Sequence, residues 1–151
     1  MKVLLFRGRG FISGAIRCFT RSQYSHAALW FPERNQIFEA WQGAGVRFKE
    51  WENDWRNVDA YDFERPLTSH ELADIIAFCR SQDGSGYDYW GIVGFITRRP
   101  RKSNKKWFCS ELVYAAFQVV GIDLLHPSTQ AWEVSPGMLA KSPRLRLASP
   151  D

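Results

Sequence analysis

The sequence is short of cysteine. Its 151 residues contain three, Cys18, Cys79 and Cys109, and no two of them form a CxxC pair. An odd number of isolated cysteines argues against a disulfide framework and against a structural zinc site. Long apolar runs are missing too: no stretch approaches the ~18 apolar residues of a membrane span, and the run at residues 3–6 is too short for a signal peptide core. We therefore expect a soluble, cytoplasmic chain in a reducing compartment, for which any export would need a non-classical route.

A strong excess of charge is also absent. The formal net charge is +4, from 20 Lys and Arg against 16 Asp and Glu, so attraction to anionic surfaces is mild. Basic residues concentrate only in residues 98–106, RRPRKSNKK. Such a run is either a solvated loop or a contact for an anionic polymer or membrane lipid. No RNA-binding signature or zinc-finger spacing accompanies it, so nucleic acid is disfavoured as a partner.

Aromatic residues are abundant. They make up 15% of the chain and include seven Trp, which is high for a globular protein. The rings form either an aromatic core or a groove for an extended or acyl ligand, and composition does not choose between the two. The length suits one domain spanning residues 1–151, with a single buried core.

The apolar pattern predicts an α+β fold. Residues 3–6 form a short buried strand. Four further extended segments follow one another at residues 25–31, 36–43, 45–51 and 57–64, which predicts an antiparallel meander. The PERN sequence between the first two of these four is typical of a hairpin turn.

Helical spacing marks three segments. Residues 11–20 form the first, in which we interpret Cys18 as a packing residue. The second begins with a capping box at Thr68–Glu71 and carries Cys79 on its apolar stripe. The third spans residues 110–120 and is followed by a loop with one short strand or turn.

Cys109 stands where the third helix begins. The unpaired backbone N–H groups and the positive end of the helix dipole favour a thiolate there over a thiol. The same N–H groups can hold the oxyanion of a tetrahedral intermediate, which makes the adjacent Ser110 a candidate oxyanion or substrate contact. A cysteine in this position is a candidate nucleophile.

A thiolate nucleophile needs a base and a residue that orients the base. His26 opens a strand, whereas His70 lies in an exposed helical turn and His126 in a loop. A PERN turn centred between the strands pairs Ala28 with Glu39, which places Glu39 one diagonal step from His26 on the same face, ~7–8 Å away. Glu39 is then either the partner of His26 or an exposed edge-strand carboxylate.

The order of motifs resembles a known family. YSHAAL, FEAW, FCSELVYAAF and SPGML occur in the order seen in circularly permuted NlpC-type cysteine hydrolases, which have a papain-like fold and are related to lecithin retinol acyltransferase-like proteins. In the unpermuted form the cysteine helix comes first and the histidine strands follow. The resemblance covers about residues 11–140 and implies an antiparallel meander sheet packed against a helix that carries the nucleophile.

The resemblance also implies roles for individual residues. Cys109 would be the nucleophile, His26 the base and Glu39 the orienting third residue, with no metal or cofactor. Family members commonly have a tyrosine that helps to polarise the attacked carbonyl. Tyr87 is the best match for it, with Tyr89 and Tyr24 as rivals.

Three functions remain open from the sequence. The first is a cysteine hydrolase that cleaves an amide bond through an acyl-enzyme, with cell-wall peptides as one substrate class. The second is a lipid acyl hydrolase or acyltransferase that uses the same triad. The third is a non-enzymatic binding module. Peptide and acyl-lipid substrates require the same three residues, so the sequence does not separate them.

Overall fold

The structure is a computed structural model and describes residues 1–8, 18, 21–89 and 106–148. The helix predicted at residues 11–20 therefore lies outside the described residues except for Cys18, and the basic run 98–106 lies outside them except for Lys106.

Five strands come first along the described residues, and the helices are interspersed with the later, shorter strands. The strands are β1 (Lys2–Phe6), β2 (His26–Phe31), β3 (Gln36–Trp41), β4 (Gly45–Glu50), β5 (Val58–Phe63), β6 (Gly86–Tyr87), β7 (Lys106–Trp107) and β8 (Leu145–Leu147). The α-helices are α1 (Ser69–Gln82), α2 (Cys109–Gln118) and α3 (Pro136–Ala140), and two 3-10 turns lie at Pro32–Arg34 and Ala131–Glu133. This confirms the α+β class and the strands expected up to β5.

Six strands form one antiparallel sheet in the order β4-β3-β2-β1-β5-β8. The predicted meander is wrong in one respect: β1 to β4 form it, and β5 pairs with β1, with Phe6 opposite Val58. The physical reason lies in β1. Its residues Val3, Leu4 and Leu5 are buried, and a strand buried on both faces needs a partner along each edge to satisfy its backbone groups.

The hairpin between β2 and β3 has the register that a centred PERN turn predicts. Leu29 pairs with Phe38, and Trp30 pairs with Ile37. The turn itself is a 3-10 turn over Pro32–Arg34, closed by a left-handed residue at Asn35 (φ 47°). Asn tolerates this conformation better than most residues, which explains its place at the end of the turn.

The two faces of the sheet bury separate apolar clusters. The larger contains Leu29 and Phe38 from the sheet and Leu112 and Phe117 from α2. The smaller lies on the opposite face, where the residues that alternate with the first set, including Ala28 and Ile37, pack with other apolar groups. Most of the aromatic rings belong to these clusters, while Trp41, Trp55 and Tyr89 remain exposed.

Helix α1 confirms its predicted signals. The Glu71 N–H donates to the Thr68 hydroxyl, and the Glu71 carboxylate accepts from the Thr68 N–H. Cys79 is fully buried on its inner face. Cys18, by contrast, is exposed, so its interpretation as a packing residue was wrong. Its carbonyl accepts from the Arg21 N–H, and Arg21 has a positive φ.

The segment beyond α2 is more ordered than the sequence indicates. The predicted short strand is present as β8, at the edge beside β5. Helix α3 was not predicted; the Ser135 hydroxyl caps it and Pro136 occupies its first turn. Among the described helices, none has the length and apolar character needed to cross a bilayer.

Candidate active site

Cys109 is the first residue of α2, one residue earlier than the helix predicted from the sequence. Phe108 before it is extended, and its N–H donates to the Glu111 carboxylate at 3.2 Å. This contact ends the extended segment and starts the helix. The sulfur is therefore beside the first-turn N–H groups, which have no partner within a helix. Cys109 is only 1% exposed, so it is held in place by packing.

His26 opens β2 at one end of the sheet. We call this end the His26 rim; here β1 ends at Phe6, β2 begins at His26 and β3 ends at Trp41. The imidazole lies between two rings, with centroid distances of 5.2 Å to Phe6 and 4.9 Å to Trp41. Strand alternation places His26 on the face of Ala28, opposite α2. Because the sheet ends at this rim, it does not separate the imidazole from the Cys109 thiol, and the two side chains interact.

Glu39 holds the other side of the imidazole. Its Oε2 lies 2.8 Å from Nε2 of His26, so Nδ1 is the ring nitrogen left for the thiol. Glu39 is 3% exposed, which rules out the exposed edge-strand alternative. The contact between His26 and Glu39 that the hairpin leads us to expect is thus present, and Cys109, His26 and Glu39 form one connected group.

Sequence reasoning missed Arg47. Its Nε and Nη2 donate to Oε1 of Glu39 at 3.1 and 2.9 Å. Arg47 stands directly opposite Glu39 in the β3–β4 hairpin. The signal was available, because both residues are equally distant from Gly43 in the turn between the two strands, and cross-strand pairing across a centred turn follows from that symmetry.

These contacts set the charges of the site. Burial alone would lower the pKa of His26, but hydrogen bonding and charge interactions with Cys109 and Glu39 raise it to about 9. Burial would likewise raise the pKa of Glu39, but His26 and Arg47 together hold it below its ordinary value. The imidazolium and the carboxylate are therefore the favoured forms near neutral pH.

Tyr87 lies close to the candidate nucleophile. It belongs to β6, which pairs in parallel with β7, and β7 ends two residues before Cys109. Burial, followed by negative charge at Cys109, Tyr89 and Asp88, raises the pKa of Tyr87. Its hydroxyl therefore keeps its proton and can donate it in a hydrogen bond.

The rival tyrosines have other partners. The Tyr89 hydroxyl accepts from the Gly43 N–H at 2.7 Å. The Tyr24 hydroxyl is bonded to the Asp59 carboxylate and lies 3.0 Å from the Tyr61 hydroxyl. Of the three candidates, Tyr87 has the most suitable position, and its assisting role stays a prediction.

Ser110 is fully buried, and its hydroxyl donates to the Val134 carbonyl at 2.6 Å. The side chain thus fastens α2 to the segment before α3. The hydroxyl is thus engaged by the Val134 carbonyl, whereas the backbone N–H of Ser110 lies in the first turn of α2. The oxyanion or substrate role of Ser110 stays a prediction, and it would fall to this N–H.

The other histidines lie apart from this group. The His70 side chain is 87% exposed, and Nδ1 of His126 lies 2.8 Å from the Ser128 hydroxyl in an exposed loop. The predicted surface position of His70 and the predicted loop position of His126 are confirmed. Within the described ranges, no three His, Cys, Asp or Glu side chains are grouped as a metal site would need.

An antiparallel sheet whose histidine strands precede the cysteine helix defines a class, the circularly permuted papain-like cysteine hydrolases. The chain belongs to the permuted papain-like amidase family of the YaeF/YiiX type, C92, whose model matches residues 4–146. The class recognised from the sequence motifs is thereby confirmed.

Two proteins of Escherichia coli are similar to the chain. It is 32% identical over 155 aligned positions to "Probable lipoprotein peptidase YaeF" of strain K12, covering 81% of this chain and 54% of the relative. The chain thus spans about half the length of that curated relative. The crystal structure of the metalloprotein YiiX from strain O157:H7 superposes with a TM-score of 0.75, at 15% identity, over 99% of this chain and 96% of YiiX. At that identity the superposition shows the fold alone.

Proposed function

We propose that the chain is a cysteine hydrolase that cleaves an amide bond in a peptide through an acyl-enzyme. The observation that carries the proposal is the connected group at the His26 rim, in which one imidazole contacts both the Cys109 thiol and the Glu39 carboxylate. Membership of a family described as amidases supports the choice of an amide.

In the first half of the reaction, the Cys109 thiolate attacks the substrate carbonyl carbon and a C–S bond forms. The carbonyl oxygen takes up the negative charge and is held by first-turn N–H groups of α2 and by the Tyr87 hydroxyl. When the C–N bond breaks, the His26 imidazolium gives its proton to the leaving amine. The product of this half is a thioester on Cys109 and a neutral imidazole.

In the second half, the neutral imidazole takes a proton from water, and the resulting hydroxide attacks the thioester carbonyl. The C–S bond breaks and the acid product leaves. The sulfur departs as a thiolate while the proton stays on His26, which restores the starting pair. Glu39 keeps the imidazole in one orientation throughout and stabilises its charged form.

A peptide is the substrate class we favour. The YaeF relative is named a lipoprotein peptidase, and the stem peptides of a cell wall offer the same bond. An acyl-lipid ester would form the same thioester and therefore belongs in the test. Lys106, exposed at the end of the basic run, adds nothing that distinguishes the two.

The first test uses the chain's own cysteines as references. Cys18 is exposed and Cys79 is buried, and burial raises the pKa of Cys79 to about 12. In iodoacetamide labelling at about pH 6, where ordinary thiols are protonated, we expect Cys109 to react at least about tenfold faster than Cys18. Peptide mapping measures the three rates. Labelling of Cys109 at or below the rate of Cys18 would contradict an activated thiolate.

The second test identifies the substrate class. Intact mass is recorded after incubation with peptidoglycan stem peptides or with phospholipids, using the wild type, Cys109→Ala and Cys79→Ala. We expect peptide products and an acyl adduct in the wild type and in Cys79→Ala, and neither in Cys109→Ala. An adduct from the lipid alone would replace the peptide with an acyl ester, and turnover that survives in Cys109→Ala would overturn the mechanism.

A further inference from the structure

The carboxylate of Glu39 is shared between two cations. Oε2 faces His26, while Oε1 accepts two N–H bonds from the Arg47 guanidinium. The Glu39 side chain is 4% exposed and that of Arg47 is 35% exposed. Arg47 therefore lies between the buried site and solvent, and the bonds it donates fix the plane of the carboxylate.

This arrangement adds a fourth member to the group. Thiolate, imidazolium, carboxylate and guanidinium follow one another with alternating charge, so the whole set is neutral when every member is ionised. Without the guanidinium, a thiolate and a carboxylate would share one buried cation. Burying an uncompensated charge is costly, and the carboxylate would relieve that cost by taking up a proton.

We propose, resting on the hydrolase function above, that Arg47 is a positioning residue that keeps Glu39 ionised and aims its Oε2 at His26. The described side-chain bonds of Arg47 go to Glu39 and not to the Cys109 sulfur. It acts through Glu39, and its two-pronged contact is one that a lysine ammonium cannot reproduce.

The groups that face Glu39 come from the two strands beside β3. His26 approaches from β2 and Arg47 from β4, and these are the charged contacts that determine the charge of Glu39. Removing Arg47 leaves burial opposed by His26 alone. The pKa of Glu39 then rises, so the carboxylate takes up a proton at a higher pH than in the wild type.

The experiment compares Cys109 alkylation by iodoacetamide across pH in the wild type, Arg47→Gln, Arg47→Lys and Lys49→Gln. Lys49 is the matched control, because it lies on the same strand face two residues on, carries the same charge and pairs with Glu52, not with Glu39. Each rate is divided by the wild-type rate at the same pH. Circular dichroism and thermal unfolding show whether each variant is folded.

We expect the Arg47→Gln ratio to fall as the pH drops below about 7, towards a limit of about tenfold once the pH is below the pKa of Glu39 in both proteins, since losing bonds from a charged donor moves a pKa by about one unit. Arg47→Lys should lower the ratio equally at every pH, because lysine keeps the positive charge but cannot donate the two parallel bonds of the guanidinium. Lys49→Gln should stay near the wild type.

A ratio for Arg47→Gln that does not change with pH would overturn the inference. A loss of packing alone would lower the ratio without making it depend on pH. Failure of the wild-type Cys109 to react would instead overturn the hydrolase proposal, and the two failures are distinguishable on the same samples. If Arg47→Gln does not fold, Arg47→Lys decides: a ratio equal to that of Lys49→Gln at every pH contradicts a positioning role.

Discussion

The charge of Glu39 is predicted to set the alkaline limit of the site. The exchange Glu39→Gln keeps an acceptor for His26 but replaces a charged oxygen with a neutral one. Glu39 raises the pKa of His26 both through its hydrogen bond at 2.8 Å and through its charge. The variant therefore retains the geometry of the contact and loses most of its electrostatic part.

The magnitude follows from the strength of such contacts. A hydrogen bond to a charged partner is worth roughly 1 kcal/mol more than a neutral one, which corresponds to about 0.7 pKa unit. Loss of the negative charge beside Arg47 adds to this in the same direction. We expect the pKa of His26, about 9 in the wild type, to fall by about 1 unit in Glu39→Gln.

The sign determines where the effect appears. Because the folded pKa of His26 is raised above 6.5, its imidazolium is complete below that pH and is lost as pH rises towards 9. The stability that this proton contributes follows the same course. Lowering the pKa of His26 in the variant moves the loss of this proton to a lower pH. As the pH is raised, Cys109 reactivity should therefore fall at a lower pH in Glu39→Gln than in the wild type.

The assay is proton NMR of the histidine ring signals during a pH titration, joined to Cys109 alkylation rates. His70 and His126 are exposed and act as internal references whose curves should not change between variants. Glu52→Gln removes the same charge from an exposed carboxylate that pairs with Lys49. An unchanged His26 curve in Glu39→Gln, or an equal shift in Glu52→Gln, would refute the reasoning.

Two further predictions concern the frame around the site. Gly45 has φ +75° and a Cβ there would lie 2.4 Å from the Ser85 carbonyl oxygen, whereas Gly43 has φ +85° and open space around it. Gly43→Ala should therefore cost about 1 kcal/mol of unfolding free energy, and Gly45→Ala about 1–3 kcal/mol more, with a matching loss of activity. Equal unfolding free energies of the two variants in urea denaturation would contradict the contact with Ser85. Thr68→Ala removes the capping box of α1 and should cost about 1 kcal/mol without changing Cys109 alkylation, so a change in alkylation would show that α1 reaches the site.

Local pattern was sufficient for the hairpin that carries His26. The turn between β2 and β3 spans few residues, and strand alternation has a period of two, so register and face followed from the position of the turn. The observed pairing of Leu29 with Phe38 confirms this. Continued towards the His26 rim, that register places Glu39 one diagonal step from His26, in agreement with the hydrogen bond observed between them.

Non-local pairing was not predictable in the same way. Nothing within β5 shows that its partner is β1, because that choice depends on which strand edge is still open after the first four strands have paired. The contact of Cys109 with His26 is equally remote in the chain and was expected only from the family resemblance. Arg47 differs, since the symmetry of the β3–β4 turn places it opposite Glu39 and makes that pair predictable from the sequence.

The arrangement of the site explains why a permuted chain order is compatible with this fold. His26, Glu39 and Arg47 stand on three consecutive strands joined by two short turns, so their mutual geometry is set locally. Only Cys109 arrives from elsewhere, and it is positioned by the packing of α2 against the sheet. A permutation joins or cuts the chain between the β2–β4 segment and α2. It changes the closure entropy of the connecting loop, which depends only weakly on loop length, and leaves the contacts within the site unchanged. The two short hairpin turns, rather than the order of the strands and the helix along the chain, are thus the elements whose alteration should damage the site most.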